Sequence, residues 1–205
     1  MSTAGPTQGA NCAPSGGSEQ RSPVSVGAVM STTEVRRRAG AIRLLTCDVD
    51  GVLTDSRIYI DDHGRETKAY SSLDGHGLKM LMHAGIAVGW ITGSKAPAVM
   101  HRARQLGVAH LLQGADDKVT PWENLRAELG LAAEQCAHVG DDLPDVPLFN
   151  RCGLAVAVPH SPPAVAARAH YVTRRDGGFG AVRELCELIL EAQGSLARHL
   201  AAYGA

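Results

Sequence analysis

The apolar run Leu44-Leu45-Thr46-Cys47 leads straight into Asp48-Val49-Asp50-Gly51. In an extended strand alternate side chains share a face, so Asp48 and Asp50 are aimed at one point beyond the strand's carboxyl end. Open α/β sheets hold their ligands in that crevice. Two carboxylates there can serve either of two chemistries. They can ligate a divalent cation through oxygen, or one can attack as a nucleophile while the other moves a proton. The pair alone leaves both open, and a strand that simply enters an acidic turn reads the same way.

Three later loops supply what the pair lacks. The run Ile86–Ile91 ends in Thr92-Gly93-Ser94-Lys95. A hydroxyl beside a glycine at a strand end, with the neighbouring backbone N–H groups, can cradle phosphate oxygens; in isolation it is also an ordinary turn. Asp116-Asp117-Lys118 opens a helical segment at Val119. The macrodipole disfavours a cation at a helix start, which points to a phosphate or a crowd of carboxylates for Lys118 to neutralise. Finally, Gly140-Asp141-Asp142-Leu143-Pro144-Asp145 places three acids just past another strand, as metal ligands or as helix caps.

The elements that must position these groups follow from hydrophobic periodicity. It predicts strands over 42–47, 86–91, 110–112, 136–139 and 154–158, and helices over 77–84, 96–106, 119–129, 144–151, 163–169 and 181–193. Gly85, Gly107 and Gly130 stand just past helix ends, and Ser161-Pro162-Pro163 makes a helix entry. Such alternation predicts an α/β fold, a mostly parallel sheet with helices on both faces. Residues 57–70 break the rhythm as a β-hairpin around the turn 61–64. An isolated hairpin is marginally stable in water, and this one carries Ile58, Tyr59, Ile60 and Tyr70. A second copy of the chain is a natural cover for it.

Composition bounds the rest. The chain has 205 residues, 44% hydrophobic and 20% charged, with a net charge of −1. It reads as a disordered N-terminal tail over 1–35, rich in Gly, Ser and Pro, and one globular domain over 36–205. Near-neutral charge leaves no electrostatic footprint for nucleic acid or an anionic membrane. No apolar stretch approaches the ~18 residues that span a bilayer. The tail lacks the basic start and apolar core of a secretory signal. Met30 precedes Ser31-Thr32-Thr33-Glu34, a helix start, and is a second candidate initiator. The five cysteines show no C-x-x-C spacing, which predicts free thiols in a reducing compartment. Arg36-Arg37-Arg38 reads as a solvated helix face.

Taken in order, Asp48-x-Asp50-Gly51, Thr92-Gly93, Lys118 and Gly140-Asp141-Asp142-x-x-Asp145 resemble the haloacid-dehalogenase-like (HAD) phosphohydrolase superfamily over residues 42–158. The resemblance implies a Rossmannoid three-layer parallel sheet and a role for each matching residue. Asp48 would be the nucleophile that forms an aspartyl-phosphate, and Asp50 the acid that protonates the leaving alkoxide and then deprotonates water. Thr92 would bind phosphoryl oxygens, and Lys118 would stabilise the nucleophile and the transferring group. Mg²⁺ would be held by Asp48, Asp141 and the Asp50 backbone carbonyl, with Asp142 and Asp145 in support. An acid at position 50 argues against a dehalogenase, which needs no proton for its leaving group.

Too few residues lie between Asp50 and Thr92, or between Lys118 and Asp141, to hold a cap domain beyond the hairpin. The phrase Asp48-Val-Asp-Gly-Val-Leu-Thr-Asp55, the hairpin, Ser71-Ser72-Leu73-Asp74-Gly75-His76-Gly77 and Gly177-Gly178-Phe179-Gly180-Ala181-Val182-Arg183-Glu184 are similar to the 3-deoxy-D-manno-octulosonate 8-phosphate (KDO 8-phosphate) phosphatase family, over residues 40–195. That resemblance implies a cytoplasmic, Mg²⁺-dependent homotetramer whose hairpins join in a central barrel, making the sugar acid of bacterial lipopolysaccharide. The substrate would be a phosphorylated sugar acid. Arg102 matches the family's substrate arginine, whose fork suits a carboxylate. Ser72, Asp74, Gly75 and Lys79 fall at substrate positions, as candidates to reach a neighbour's site, and Gly93 and Ser94 join Thr92. Arg183 either binds substrate or fixes the glycine-rich tail.

Two departures stand out. Ser94-Lys95 occupies the place where the family often has arginine, and where sialate-type phosphatases often carry glutamate; Lys95 would substitute only as a point charge. Ser56 stands where glycine is usual. The alternatives are a phosphatase for a nine-carbon sialic-type acid 9-phosphate and a catalytically silent HAD-like oligomerisation module.

Overall fold

A computed structural model describes residues 30–204, together with Met1. Most of the expected tail lies outside the described residues, as does Cys12. The first described helix, α1 (Thr32–Ala41), begins ahead of Arg36 and is capped by Ser31, whose Oγ accepts from Glu34 N at 3.3 Å. This helix belongs to the domain because Val35 and Ala39 are buried in its core.

Then follow β1 (Leu44–Cys47), β2 (Tyr59–Ile60), β3 (Glu66–Thr67), α2 (Ser72–His83), β4 (Ala87–Thr92), α3 (Pro97–Leu106), β5 (His110–Gln113), α4 (Val119–Glu128), β6 (Cys136–Gly140), α5 (Val146–Phe149), β7 (Leu154–Ala157), α6 (Pro163–Ala166), β8 (Tyr171–Val172), α7 (Ala181–Ala192) and α8 (Leu196–Ala201). Six strands form one sheet in the order β5-β4-β1-β6-β7-β8, and every pairing in it is parallel. The pleat divides the core into two layers. Leu45, Cys47, Val88 and Trp90 pack with α1, α2, α3 and α7 on one face. Leu44, Ile91, Ala155 and Ala157 pack with α4, α5 and α6 on the other. The chain leaves central β1 toward β4 on one side and returns through β6 on the other, so the carboxyl ends of these three strands share one crevice. The expected three-layer α/β architecture is the one found.

Four local differences have identifiable causes. Helix α2 begins at Ser72 instead of Gly77, because Ser71 caps it and its Oγ accepts from Leu73 N and Asp74 N. Gly75 and Gly77 are contact points: a Cβ on Gly77 would press on Arg183 and Cys186 of α7. The segment 144–151 is a short 3-10 turn, Leu143–Asp145, continuing into α5, with Pro144 and Pro147 in the first turn of each. Strand β8 is a two-residue edge strand, too short to show periodicity. Helix α8 follows the last expected helix and buries none of its residues.

In the hairpin, Tyr59 pairs with Thr67 and Ile60 with Glu66 in antiparallel register. Ile58 and Ile60 are 69% and 67% exposed, so in one copy of the chain this apolar surface is uncovered. Cys47, Cys136, Cys152 and Cys186 are buried free thiols. Among the described residues no helix is long and apolar enough to cross a membrane.

Candidate active site

Asp48 leaves β1 still paired to β6, its N–H donating to Val139 O at 2.9 Å. The chain then turns tightly, Leu53 N and Thr54 N both donating to Val49 O. Gly51 is required in this turn. Its φ is +91°, and a Cβ would overlap the Asp141 carboxylate. The glycine-rich segment closes over the same turn, Gly178 N donating to Val52 O at 2.9 Å. The resulting cleft, about 660 Å³, is lined by Asp48, Asp50, Thr92, Lys118, Asp141 and Asp145, with Gly93, Ser94 and Asp142 at its edge.

Lys118 is the centre of its charge arrangement. It follows β5 at the head of α4 and is buried, its Nζ 3.0 Å from Asp48 Oδ1 and 2.7 Å from Asp145 Oδ1. Burial works against its charge, but Asp48 and Asp145 hold its pKa above the usual lysine value. Asp145 accepts four hydrogen bonds: Oδ1 from Lys118 and from the His138 ring at 2.9 Å, Oδ2 from the N–H groups of Asp141 and Asp142 at 3.1 and 3.4 Å. Burial would raise its pKa, yet His138 and Lys118 hold it at about 2. Asp48 shows the reverse. Burial and repulsion by Asp145 push its carboxyl up to about 7, against the pull of Lys118. Burial and Asp145 likewise bring Asp141 to about 6.

Carboxylate oxygens of Asp48, Asp141 and Asp145 lie within 4.8 Å of one another. Asp145 has its lone pairs engaged, which leaves Asp48 and Asp141 with oxygens to offer. Two crowded carboxylates resisting ionisation, beside a backbone kept bare at Gly51, fit a divalent cation with oxygen preference.

Thr92 ends β4 with its Oγ1 accepting from Ser94 N at 3.0 Å, a turn that leaves Gly93 exposed at the cleft. Asp142 accepts from Leu143 N at 2.7 Å and so caps the 3-10 turn. Asp50 is ion-paired with Lys68, which also pairs with Glu66. Sequence reasoning missed Lys68 and Glu66. Their i, i+2 spacing puts them on one face of the hairpin's second arm, and that spacing was the available signal. It also missed His138, a histidine inside an apolar strand. His160 was missed too; its Nε2 lies 3.1 Å from Ser56 Oγ and 3.6 Å from Asp141 Oδ2.

The remaining expected residues lie outside the lining of this chain's cleft. Asp74 is 1% exposed, its carboxylate accepting from Gly180 N and Arg183 N, so in the single chain it caps α7. Gly75 is buried beneath Arg102. Lys95 lies along Gly114 instead of facing the cleft. Ser72 and Lys79 are exposed on α2. Arg102 donates to Ser71 O at 3.4 Å and Gln105 Oε1 at 2.7 Å and stacks on Tyr70, away from Asp48. Arg183 pairs with Glu187 and supports the tail's junction with α7.

Residues 103–183 match the haloacid dehalogenase-like hydrolase family. The 3-deoxy-D-manno-octulosonate 8-phosphate phosphatase KdsC of Yersinia pestis is 48% identical over 163 residues, covering 80% of this chain and 87% of that protein. The chain belongs to the KDO 8-phosphate phosphatase family. A solved member from Moraxella catarrhalis, described in complex with a magnesium ion, a phosphate ion and a KDO molecule, is 40% identical. It superimposes with a TM-score of 0.83 over 84% of this chain and 99% of its own. A cobalt-bound member from Haemophilus influenzae is 37% identical, with a TM-score of 0.78 over 82% and 98%. Family members thus hold divalent metals, in keeping with the acidic site here.

Proposed function

We propose that the chain is a Mg²⁺-dependent phosphatase that hydrolyses KDO 8-phosphate to KDO and phosphate through an aspartyl-phosphate. The observation that carries this reading is Lys118 standing 3.0 Å from Asp48 while the Asp141 carboxylate shares their pocket. A carboxylate attacking a phosphate dianion meets like-charge repulsion, so cations must offset it. Mg²⁺, held by Asp48, Asp141 and the Asp50 carbonyl, would supply part of that offset; Lys118 supplies the rest.

An Asp48 oxygen attacks phosphorus, and the bond from phosphorus to the sugar's oxygen breaks. Asp50, which enters this step protonated, gives its proton to the departing alkoxide. The same carboxylate then takes a proton from water, which attacks phosphorus and frees Asp48 and inorganic phosphate. Thr92 and the Gly93 N–H hold the phosphoryl oxygens, with Ser94 beside them. Lys118 favours the ionised form of Asp48 against burial and Asp145, and keeps its oxygen aimed.

Among the described residues, one chain's cleft has no cap over the sugar. The exposed Ile58, Tyr59 and Ile60 favour association through the 57–70 hairpins, and our reading is a cytoplasmic homotetramer. In it Ser72, Lys79 and Arg102 face a neighbour's substrate, Arg102 toward the carboxylate. The product would feed lipopolysaccharide synthesis.

The test is phosphate release from KDO 8-phosphate and from a nine-carbon sialic-type acid 9-phosphate, with Mg²⁺ added or chelated. Preferential turnover of the first is expected, lost on chelation and lowered at least about 10³-fold in Asp48→Asn. Release as fast as that of the untreated wild-type chain, by both the variant and the chelated sample, would sink the mechanism. Preference for the second sugar would reassign the substrate.

A further inference from the structure

A buried polar pair beside the site has no role in that mechanism. His138, on β6, is fully buried, as is Thr46, its registered neighbour on β1. Both point toward the α4/α5 face, where the imidazole ring lies 6.0 Å from the Phe149 ring. The ring makes two contacts: Nε2 with Asp145 Oδ1 at 2.9 Å and Nδ1 with Thr46 Oγ1 at 2.9 Å. No substrate could reach it.

We propose that His138 is a positioning residue: backed by Thr46, it occupies Asp145 so that Lys118 stays shared with Asp48. This rests on the phosphatase reading above and adds a component to it.

The argument is one of hydrogen-bond counting. Asp145 is 1% exposed, so water cannot replace a missing donor. Its Oδ1 is divided between Lys118 and His138. Without the imidazole, the buried charge on that oxygen would fall on the Lys118 ammonium alone. The ammonium would be drawn toward Asp145 and away from Asp48, because the cost of an unpaired buried carboxylate oxygen exceeds that of a longer second contact.

The proton inventory specifies the tautomer. Burial favours the neutral ring in spite of its carboxylate partner, so the ring has one N–H to give. Asp145, ionised, can only accept; the proton must therefore sit on Nε2. Nδ1 is then an acceptor, and the Thr46 hydroxyl must donate to it. The competing acceptor for that hydroxyl, Ala137 O at 3.1 Å, would leave Nδ1 buried and unpaired.

Two measurements decide the matter. Long-range ¹H–¹⁵N correlation spectra of the wild-type chain should show a buried imidazole protonated on Nε2 and bare on Nδ1. Phosphate-release kinetics should show kcat lowered about ten- to a hundredfold in His138→Phe, the usual scale for a group that orients a catalytic one. KM should be little changed, because phosphate contacts are intact. His138→Gln, which restores a donor near Nε2, should recover most of the loss. Thr46→Val keeps shape and strand propensity and should cost about fivefold in kcat, the value of one hydrogen bond. A ring protonated on Nδ1, or a kcat within about twofold of wild type in both Thr46→Val and His138→Phe, overturns the proposal. If His138→Phe does not fold, the spectrum and Thr46→Val still decide. Wild-type turnover, measured first, tests the phosphatase reading separately; the tautomer is read without any turnover.

Discussion

Lys68 is ion-paired with Asp50: an ammonium carried by the hairpin meets a carboxylate of the catalytic turn, and the lysine side chain is only 2% exposed. The hairpin is therefore part of the site as well as an apolar arm. Glu66 holds the same ammonium, and together Asp50 and Glu66 keep its pKa above the usual lysine value, against the cost of desolvation.

Removing that ammonium would leave Asp50 and Glu66 facing each other. Lys68→Met should lower kcat/KM by about tenfold or more, roughly 1.4 kcal/mol of transition-state stabilisation. Steady-state phosphate release measures it. An unchanged kcat/KM would make the pair a passive contact.

Chelated protein should lose stability as pH rises. The folded-state pKa values of Asp48 and Asp141, about 7 and about 6, lie above the ordinary 3.8. The folded chain therefore holds protons that the unfolded chain releases, and this contribution, full below 3.8, is lost as pH climbs through 6 and 7. The Tm in EDTA should fall between pH 5 and pH 8. Adding Mg²⁺ to a hundred times its Kd at pH 8 should raise Tm by roughly 5–10 °C, and by less at pH 5, where protons compete. A larger Mg²⁺ effect at pH 5 would contradict these assignments.

Gly51→Ala should damage the metal site directly. The added methyl group would overlap the Asp141 carboxylate and sit on a backbone with φ of +91°. Calorimetric titration of Mg²⁺ should show affinity weakened at least about tenfold. Wild-type affinity in this variant would mean that Asp141 is free to move, and that the turn is not a template for the cation.

The hairpin's apolar tip offers a test of assembly. Ile60→Asp places a charge on a side chain that is 67% exposed in the single copy, so it should fold normally. Light scattering should give tetramer mass for wild type and smaller species for the variant. A tetramer that survives the substitution would place the interface elsewhere.

Much of the site was legible in the chain because it sits at strand ends, where local rules hold. The i, i+2 aspartates, the Thr92-Gly93 turn and the acids after β6 each follow an apolar run whose length and period identify it as a strand. The sheet's parallel character follows from the alternation of those runs with helices. What the sequence could not rank was distance between segments far apart in the chain. Asp74 and Lys68 illustrate this: each is a charged residue near an expected helix or hairpin. Only packing decides that the first is spent inside the protein on the start of α7, while the second reaches Asp50. The same holds for His138, whose partners come from β1 and from the turn after β6. Sequence determined which groups stand at the edge of the sheet, since strand period is a local property of the backbone. Tertiary structure decided which of them share a proton or a charge, since that depends on contacts of a few ångströms that no local pattern encodes.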